Sequence, residues 1–169
     1  YFGHNKKLVH VLDGGFEKWL NEGRETTSDT KVLPKSNYTS NEKFDLVKSI
    51  EQINKNITSN EFVLIDGRSM ERFNGSVAEP RKGLKSGCIS NSICMPYKSV
   101  LRENKTFKNK SDLYKLFNEA LKSKVTNKVV FSCGSGITAC VLALAYSLIN
   151  NNYTPTIYDG SWAEYGKTI

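Results

Sequence analysis

The chain is poor in the residues that several functional classes depend on. Its 169 residues include only two histidines, His4 and His10, and four cysteines, Cys88, Cys94, Cys133 and Cys140. None of these stands at a pair spacing that suits zinc, so no metal site is expected. No apolar run approaches the roughly 20 residues that a membrane-spanning helix needs, and no membrane association is expected. The net charge is +7, but the lysines are scattered singly, without a long basic block or the aromatic interleaving of RNA-binding surfaces. Small anionic substrates therefore account for the charge better than nucleic acid does. With 38% hydrophobic residues the chain can close a core without disulfides, which favours a reducing compartment, cytoplasmic or mitochondrial. The first residue is Tyr1, and neither an initiator nor a leader precedes the first apolar segment. A piece of a longer chain is expected, with any targeting segment upstream.

What is present reads as strands alternating with helices. Leu8-Val9-His10-Val11-Leu12 alternates weakly up to Asp13-Gly14-Gly15, predicting a strand and then a short helix through Phe16, Trp19 and Leu20. From Arg24 to Thr39 the composition is that of a linker. Phe44, Val47, Ile50 and Ile53 predict one helix, and Phe62-Val63-Leu64-Ile65 a buried strand ending at Asp66. A long charged loop follows from Met70 to Asn91. A short strand is expected at Ile93 to Pro96, and a helix behind Ser111 as N-cap with Leu113, Leu116, Phe117 and Leu121 on one face. Val129 to Ser132 reads as a buried strand, Cys133 to Thr138 as a tight loop, and Ala139 to Asn150 as an apolar helix. Thr156-Ile157-Tyr158 gives a last strand, with Trp162 and Tyr165 in a final helix. This order predicts an α/β fold of three layers, a mainly parallel sheet covered by helices on both faces. Residues 11–19 and 157–165 echo each other in a strand, an Asp-Gly turn and an aromatic-bearing helix. Duplication explains the echo: 1–27 would be the tail of a first domain, 28–42 a linker, and 43–169 the catalytic domain.

The chemistry concentrates in Cys133-Gly134-Ser135-Gly136-Ile137-Thr138. A cysteine at the carboxyl end of a buried strand, followed by glycines and a helix, sits where backbone N–H groups and the helix dipole converge. Such a cradle favours a thiolate, the nucleophilic form. The glycines are expected to let the loop turn inward and leave room for a second sulfur. A cysteine-dependent phosphatase also joins strand, cradle and helix, but needs an arginine at the end of the cradle for phosphate. Here that stretch is Ile137, Thr138, Ala139, Cys140, and the phosphatase reading fails. Cys140 is expected in the core and Cys88 packed and inert.

The loop from Cys133 to Ala139 resembles the Cys-Gly-Ser-Gly-Val-Thr-Ala loop of tandem-domain sulfurtransferases of the rhodanese superfamily, specifically those acting on 3-mercaptopyruvate. Thiosulfate-specific members carry a Cys-Arg-Lys-Gly-Val-Thr type of loop, whose cations suit a doubly charged donor. Further matches are Asp66-Gly67-Arg68 with Arg72-Phe73-Asn74-Gly75, Glu79-Pro80-Arg81-Lys82-Gly83 and Asp159-Gly160-Ser161-Trp162. Phe2 to Gly23 resembles the end of the superfamily's first domain. Two departures stand out: Gly87-Cys88-Ile89-Ser90-Asn91 replaces Gly-His-Ile-Pro-Gly, and Cys94 replaces an Asn.

The resemblance implies that Cys133 takes sulfur from a small anionic donor as a persulfide and passes it to a thiol or cyanide, with thioredoxin among the acceptors. It implies that Arg72 and Arg81 hold the carboxylate and keto oxygen of the donor. Ser135 would polarise the donor together with a His and an Asp of the first domain, and no cofactor would take part. Arg68 is expected to be a structural ion-pair partner. A thiosulfate sulfurtransferase and a non-catalytic rhodanese-like binding module are the alternatives.

Overall fold

The computed structural model describes residues 1–122 and 126–167; the last two residues of the expected catalytic domain, which was to run to 169, lie outside them. In chain order the elements are α1 (Gly15–Asn21), α2 (Ile50–Ser59), β1 (Val63–Asp66), α3 (Met70–Phe73), β2 (Ile93–Cys94), α4 (Lys110–Ala120), β3 (Val129–Ser132), α5 (Ile137–Ser147) and α6 (Ser161–Tyr165). The three strands form a parallel sheet in the order β2-β1-β3. Single bridges extend it, Phe131 pairing with Ile157 and Ile157 with Val47.

Successive strand residues point to opposite faces, and this alternation divides the core in two. Ile65, Val129 and Phe131 pack with Leu113 and Phe117 of α4 and with Leu142, Ala143 and Tyr146 of α5. Leu64 and Val130 face the other way, against Ile53 of α2, Tyr158 and Trp162 of α6. Both faces are covered, as the continuous apolar strands require. The expected α/β architecture is present.

Several element boundaries differ from expectation, each for a local reason. The helix expected from Phe44 to Ile53 is split: a 3-10 turn covers Phe44–Leu46, Val47 bridges to Ile157, and α2 starts behind Ser49. Ser49 and Gln52 form a reciprocal capping box, satisfying amides that would otherwise be orphaned at that helix end. α4 is capped by Asn109 and not by Ser111, because Asn109 has the extended backbone of a cap and its Oδ1 accepts the Asp112 N–H at 2.9 Å. The strand expected at 156–158 is reduced to the bridge at Ile157, and the long loop contains the short helix α3, capped by Ser69. Asn91 occupies the left-handed region at φ 63°, which asparagine tolerates, and its Nδ2 donates to the Ile57 carbonyl at 2.8 Å.

The strand expected at Leu8–Leu12 does not form. Alternation produces a strand only where another backbone supplies a ladder, and among the described residues none pairs with this segment. A 3-10 turn covers Lys6–Leu8, and Leu8 and Val11 are 67% and 69% exposed. The segment is tied to the rest through the Asn41 and Lys43 N–H groups, which donate to the Phe2 and Tyr1 carbonyls, and through Asp13, which accepts the Phe107 N–H at 2.9 Å. Among the described residues no helix is long and apolar enough to cross a membrane.

Candidate active site

Cys133 follows β3 directly and is 2% exposed, at the floor of the loop that leads into α5. The orientation of this loop is set from one side by α6. The first-turn N–H groups of a helix have no acceptor within it. Here those of Trp162 and Ala163 donate to the carbonyls of Cys133 and Gly134, at 3.0 and 2.9 Å. Ser161 completes the clamp: its Oγ accepts the N–H groups of Cys133 (3.0 Å) and Gly136 (3.1 Å) and donates to the Tyr158 carbonyl at 2.8 Å. Ser161 is fully buried and holds φ 50°, an unfavourable backbone for a non-glycine residue that these hydrogen bonds, with one more from Ser132 Oγ, stabilise.

With these carbonyls turned to α6, the amide of Ser135 is turned to the sulfur, its N–H lying 3.5 Å from Cys133 Sγ. Gly136, at φ 81°, is the N-cap of α5 and aims the amino end of that helix at the loop. A Cβ on Gly136 would meet Asp159 Oδ1 at 2.5 Å, and one on Gly134 would meet Arg72 Nη2 at 3.0 Å. Each glycine makes room for a neighbouring side chain.

The expected site residues converge on Gly134. The Arg72 guanidinium lies against it, and Arg81, although exposed, donates from Nη1 to the Gly134 carbonyl at 3.2 Å. Ser135 is half-buried, Ile137 is exposed on the first turn of α5, and Thr138 follows it. Arg68 stands apart from the cleft as a structural ion pair. It is fully buried, with Nε and Nη2 on Asp66, Nη1 on Glu79 Oε1 at 2.8 Å and Nη2 also on the Gly87 carbonyl at 2.8 Å. Its plane stacks 4.2 Å from the Trp162 ring centroid.

The other three cysteines are differently placed. Cys94 donates to the Arg68 carbonyl at 3.7 Å, and burial, with the Asp66 carboxylate, pushes its thiol up to about 11. Cys140 is not in the core: it lies on the exposed side of α5, because the inward face is made by Ala139, Leu142, Ala143 and Tyr146. Desolvation of its sulfur, with Cys133 and Asp159 nearby, raises its thiol, and Sγ lies 3.4 Å from the Gly136 carbonyl. Cys88 is exposed and not packed; Ile89, beside it, takes the buried position instead.

A family model for the rhodanese-like domain matches residues 49–168. The chain belongs to the rhodanese family. Among curated proteins, this rhodanese chain is 38% identical to thiosulfate sulfurtransferase of Bos taurus and 33% identical to 3-mercaptopyruvate sulfurtransferase of Mus musculus. Each match covers 97% of the chain and 54% of the relative, so the chain spans about half the length of these proteins. Among solved structures, the SseA 3-mercaptopyruvate sulfurtransferase of Escherichia coli superposes with a TM-score of 0.74 at 27% identity, covering 95% of this chain and 58% of that one. The Tum1 protein of Saccharomyces cerevisiae gives 0.74 at 27% identity over 90% of this chain and 55% of that one.

Residues that sequence reasoning passed over are Ser161 and Glu79. Both lie within matched motifs, but nothing in their spacing indicates that one clamps the loop and the other holds Arg72. Replacing Ser161 by Ala removes the acceptor shared by two buried N–H groups, each costing about 1–3 kcal/mol when left unpaired. Ser161→Ala is expected to lose about 2–4 kcal/mol of stability in urea denaturation. A loss below about 0.5 kcal/mol would show that the loop holds its shape without the clamp.

Proposed function

We propose that the protein is a sulfurtransferase in which Cys133 carries the transferred sulfur, with 3-mercaptopyruvate as donor. The observation that carries this reading is the convergence of the Ser135 amide, Arg72 and Arg81 on the Cys133–Gly134 step. A thiolate below two guanidiniums is arranged to receive an anionic donor, and planar guanidinium suits a carboxylate. The Cys133 thiolate attacks the sulfur of mercaptopyruvate, the carbon–sulfur bond breaks, and pyruvate leaves as its enolate and takes a proton. Cys133 then holds a persulfide. An acceptor thiolate attacks the outer sulfur, and Cys133 returns as thiolate; small thiols, cyanide or thioredoxin fit this step. The two half-reactions imply ping-pong kinetics. The small, neutral Gly134-Ser135-Gly136 loop favours mercaptopyruvate over the dianion thiosulfate. The relatives carry both activities in their names, so thiosulfate sulfurtransferase is the second reading, separated by comparing the two donors. Retention of Cys133 argues against a binding module without catalysis.

Intact-mass spectrometry after addition of mercaptopyruvate is expected to find one extra sulfur on the protein. Cys133→Ser should abolish the adduct, while Cys88→Ser and Cys140→Ser should keep most of it; sulfur loading of Cys133→Ser protein would overturn the assignment.

Arg72→Ala and Arg81→Ala each remove charge-assisted hydrogen bonds to the donor worth about 1.5–3 kcal/mol. Steady-state assays should then show kcat/KM for mercaptopyruvate lower by about one to two orders of magnitude. Unchanged values would make the two arginines ordinary loop charges.

We also propose that residues 1–27 are the end of a preceding rhodanese-like domain that forms the other wall of the cleft. The support is the unpaired apolar segment, with Leu8, Val11 and Phe16 exposed, and the half-length coverage of the relatives. Assayed beside a longer protein with that domain, this chain should turn over mercaptopyruvate at least about tenfold more slowly, because orientation and water exclusion are reduced. Equal turnover would mean that the first domain is dispensable.

A further inference from the structure

We propose that Glu79 positions Arg72 and sets the donor preference of the Cys133 site, by gripping one edge of that guanidinium and cancelling its charge. The inference rests on the sulfurtransferase reading above. The Glu79 side chain is 2% exposed, whereas that of Arg72 is 26% exposed. Glu79 Oε2 accepts Arg72 Nη2 at 2.5 Å and Oε1 accepts Arg72 Nε at 3.2 Å, so the Nε–Nη2 edge is engaged side-on. The two Nη atoms lie over Gly134, where a Cβ would meet them at 3.0 and 3.7 Å. Glu79 thus fixes the plane of Arg72 and holds Nη2, an atom it engages itself, closest of that guanidinium to the Gly134 step of the loop. Glu79 is itself immobile, because Oε1 also accepts from Arg68 Nη1, and Arg68 is locked by Asp66, the Gly87 carbonyl and the Trp162 ring.

The second consequence is electrostatic. Burial raises the Glu79 carboxyl, but hydrogen bonds and charge from Arg72 and Arg68 outweigh it and hold the group below the usual carboxylate range. It is therefore ionised at neutral pH. Asp66 and Glu79 formally cancel Arg68 and Arg72, so Arg72 supplies direction with little net charge. Arg81, outside this ion-pair group, supplies the net positive charge beside Gly134. Asp159, against Gly136, adds a carboxylate to the same loop, so among the described residues the site carries little net positive charge, which suits a donor with one negative charge and disfavours a dianion.

Two variants separate charge from geometry in the full protein. Glu79→Gln keeps the shape and removes one negative charge, so the ratio of kcat/KM for thiosulfate to that for mercaptopyruvate should rise on the order of tenfold, and less at high salt. Iodoacetamide should also label Cys133 faster at neutral pH in Glu79→Gln, read by peptide mass spectrometry. Glu79→Asp keeps the charge but is one methylene too short, so kcat/KM should fall severalfold for both donors while their ratio stays within about twofold. A Glu79→Gln protein that melts like the wild type with an unchanged donor ratio and labelling rate would overturn the proposal. If that variant does not fold, wild-type kinetics in Glu79→Asp would overturn the positioning role. Failure of the sulfurtransferase reading looks different: the wild type would use neither donor, while the labelling rate still reads the charge effect.

Discussion

The buried guanidinium of Arg68 is the constraint on which the arrangement depends. A fully desolvated cation costs several kcal/mol unless charge and hydrogen bonds compensate it. Compensation draws in Asp66 from the end of β1, Glu79 and the Gly87 carbonyl from the long loop, and the Trp162 ring from α6. The end of β1, the loop that follows it and a helix far along the chain are thereby held at one end of the sheet. The segment from Met70 to Asn91, which lacks periodicity of its own, is ordered by this polar centre together with Leu84 and Ile89, which pack against Trp162 and the core beside it.

From Arg68 the contacts run in a closed circuit through the Cys133–Gly136 loop. Arg68 holds Glu79, Glu79 holds Arg72, and Arg72 lies on Gly134. Gly134 and Cys133 are tied to the first turn of α6, whose Trp162 returns to Arg68. The loop is confined on both sides, by cations on one and by the Ser161 clamp on the other. Preorganisation of this kind lets donors and charges act without reordering when a reactant arrives. It also explains the glycines: the loop is packed so closely by Arg72 and Asp159 that a side chain at Gly134 or Gly136 would displace one of them.

Much of this was legible in the sequence where the signal is local. β1 follows from its own short apolar run, and β3, the cysteine after it and α5 from an apolar run, a glycine-bearing turn and a helical pattern within residues 129–147. Arg68 as an ion-pair residue, and Arg72 and Arg81 near the loop, came from motif resemblance, and the structure brings the two latter residues to Gly134. What could not be read depends on contacts between distant segments. The acceptor of the Cys133 N–H is a hydroxyl 28 residues away, and no periodicity encodes that. Phe44 and Val47 continue the spacing of α2 by coincidence, because the bridge from Val47 to Ile157 overrides it. Leu8–Leu12 shows the converse case, a strand pattern without a paired backbone.

The four cysteines show why strand position alone does not define a nucleophile. Cys94 also ends a parallel strand, pairing with Asp66 on one side of β1 as Ser132 does on the other, so it stands one position short of Cys133. Its sulfur donates to the Arg68 carbonyl and lies near the Asp66 carboxylate, two features that favour the protonated thiol. At Cys133 the arrangement differs: α6 and Arg81 take the carbonyls of the loop, and the Ser135 N–H is turned to the sulfur. The difference lies in which end of the peptide dipole faces the sulfur. At Cys133 the N–H groups of α6 take the loop carbonyls, so a short helix late in the chain fixes which peptide groups face the sulfur.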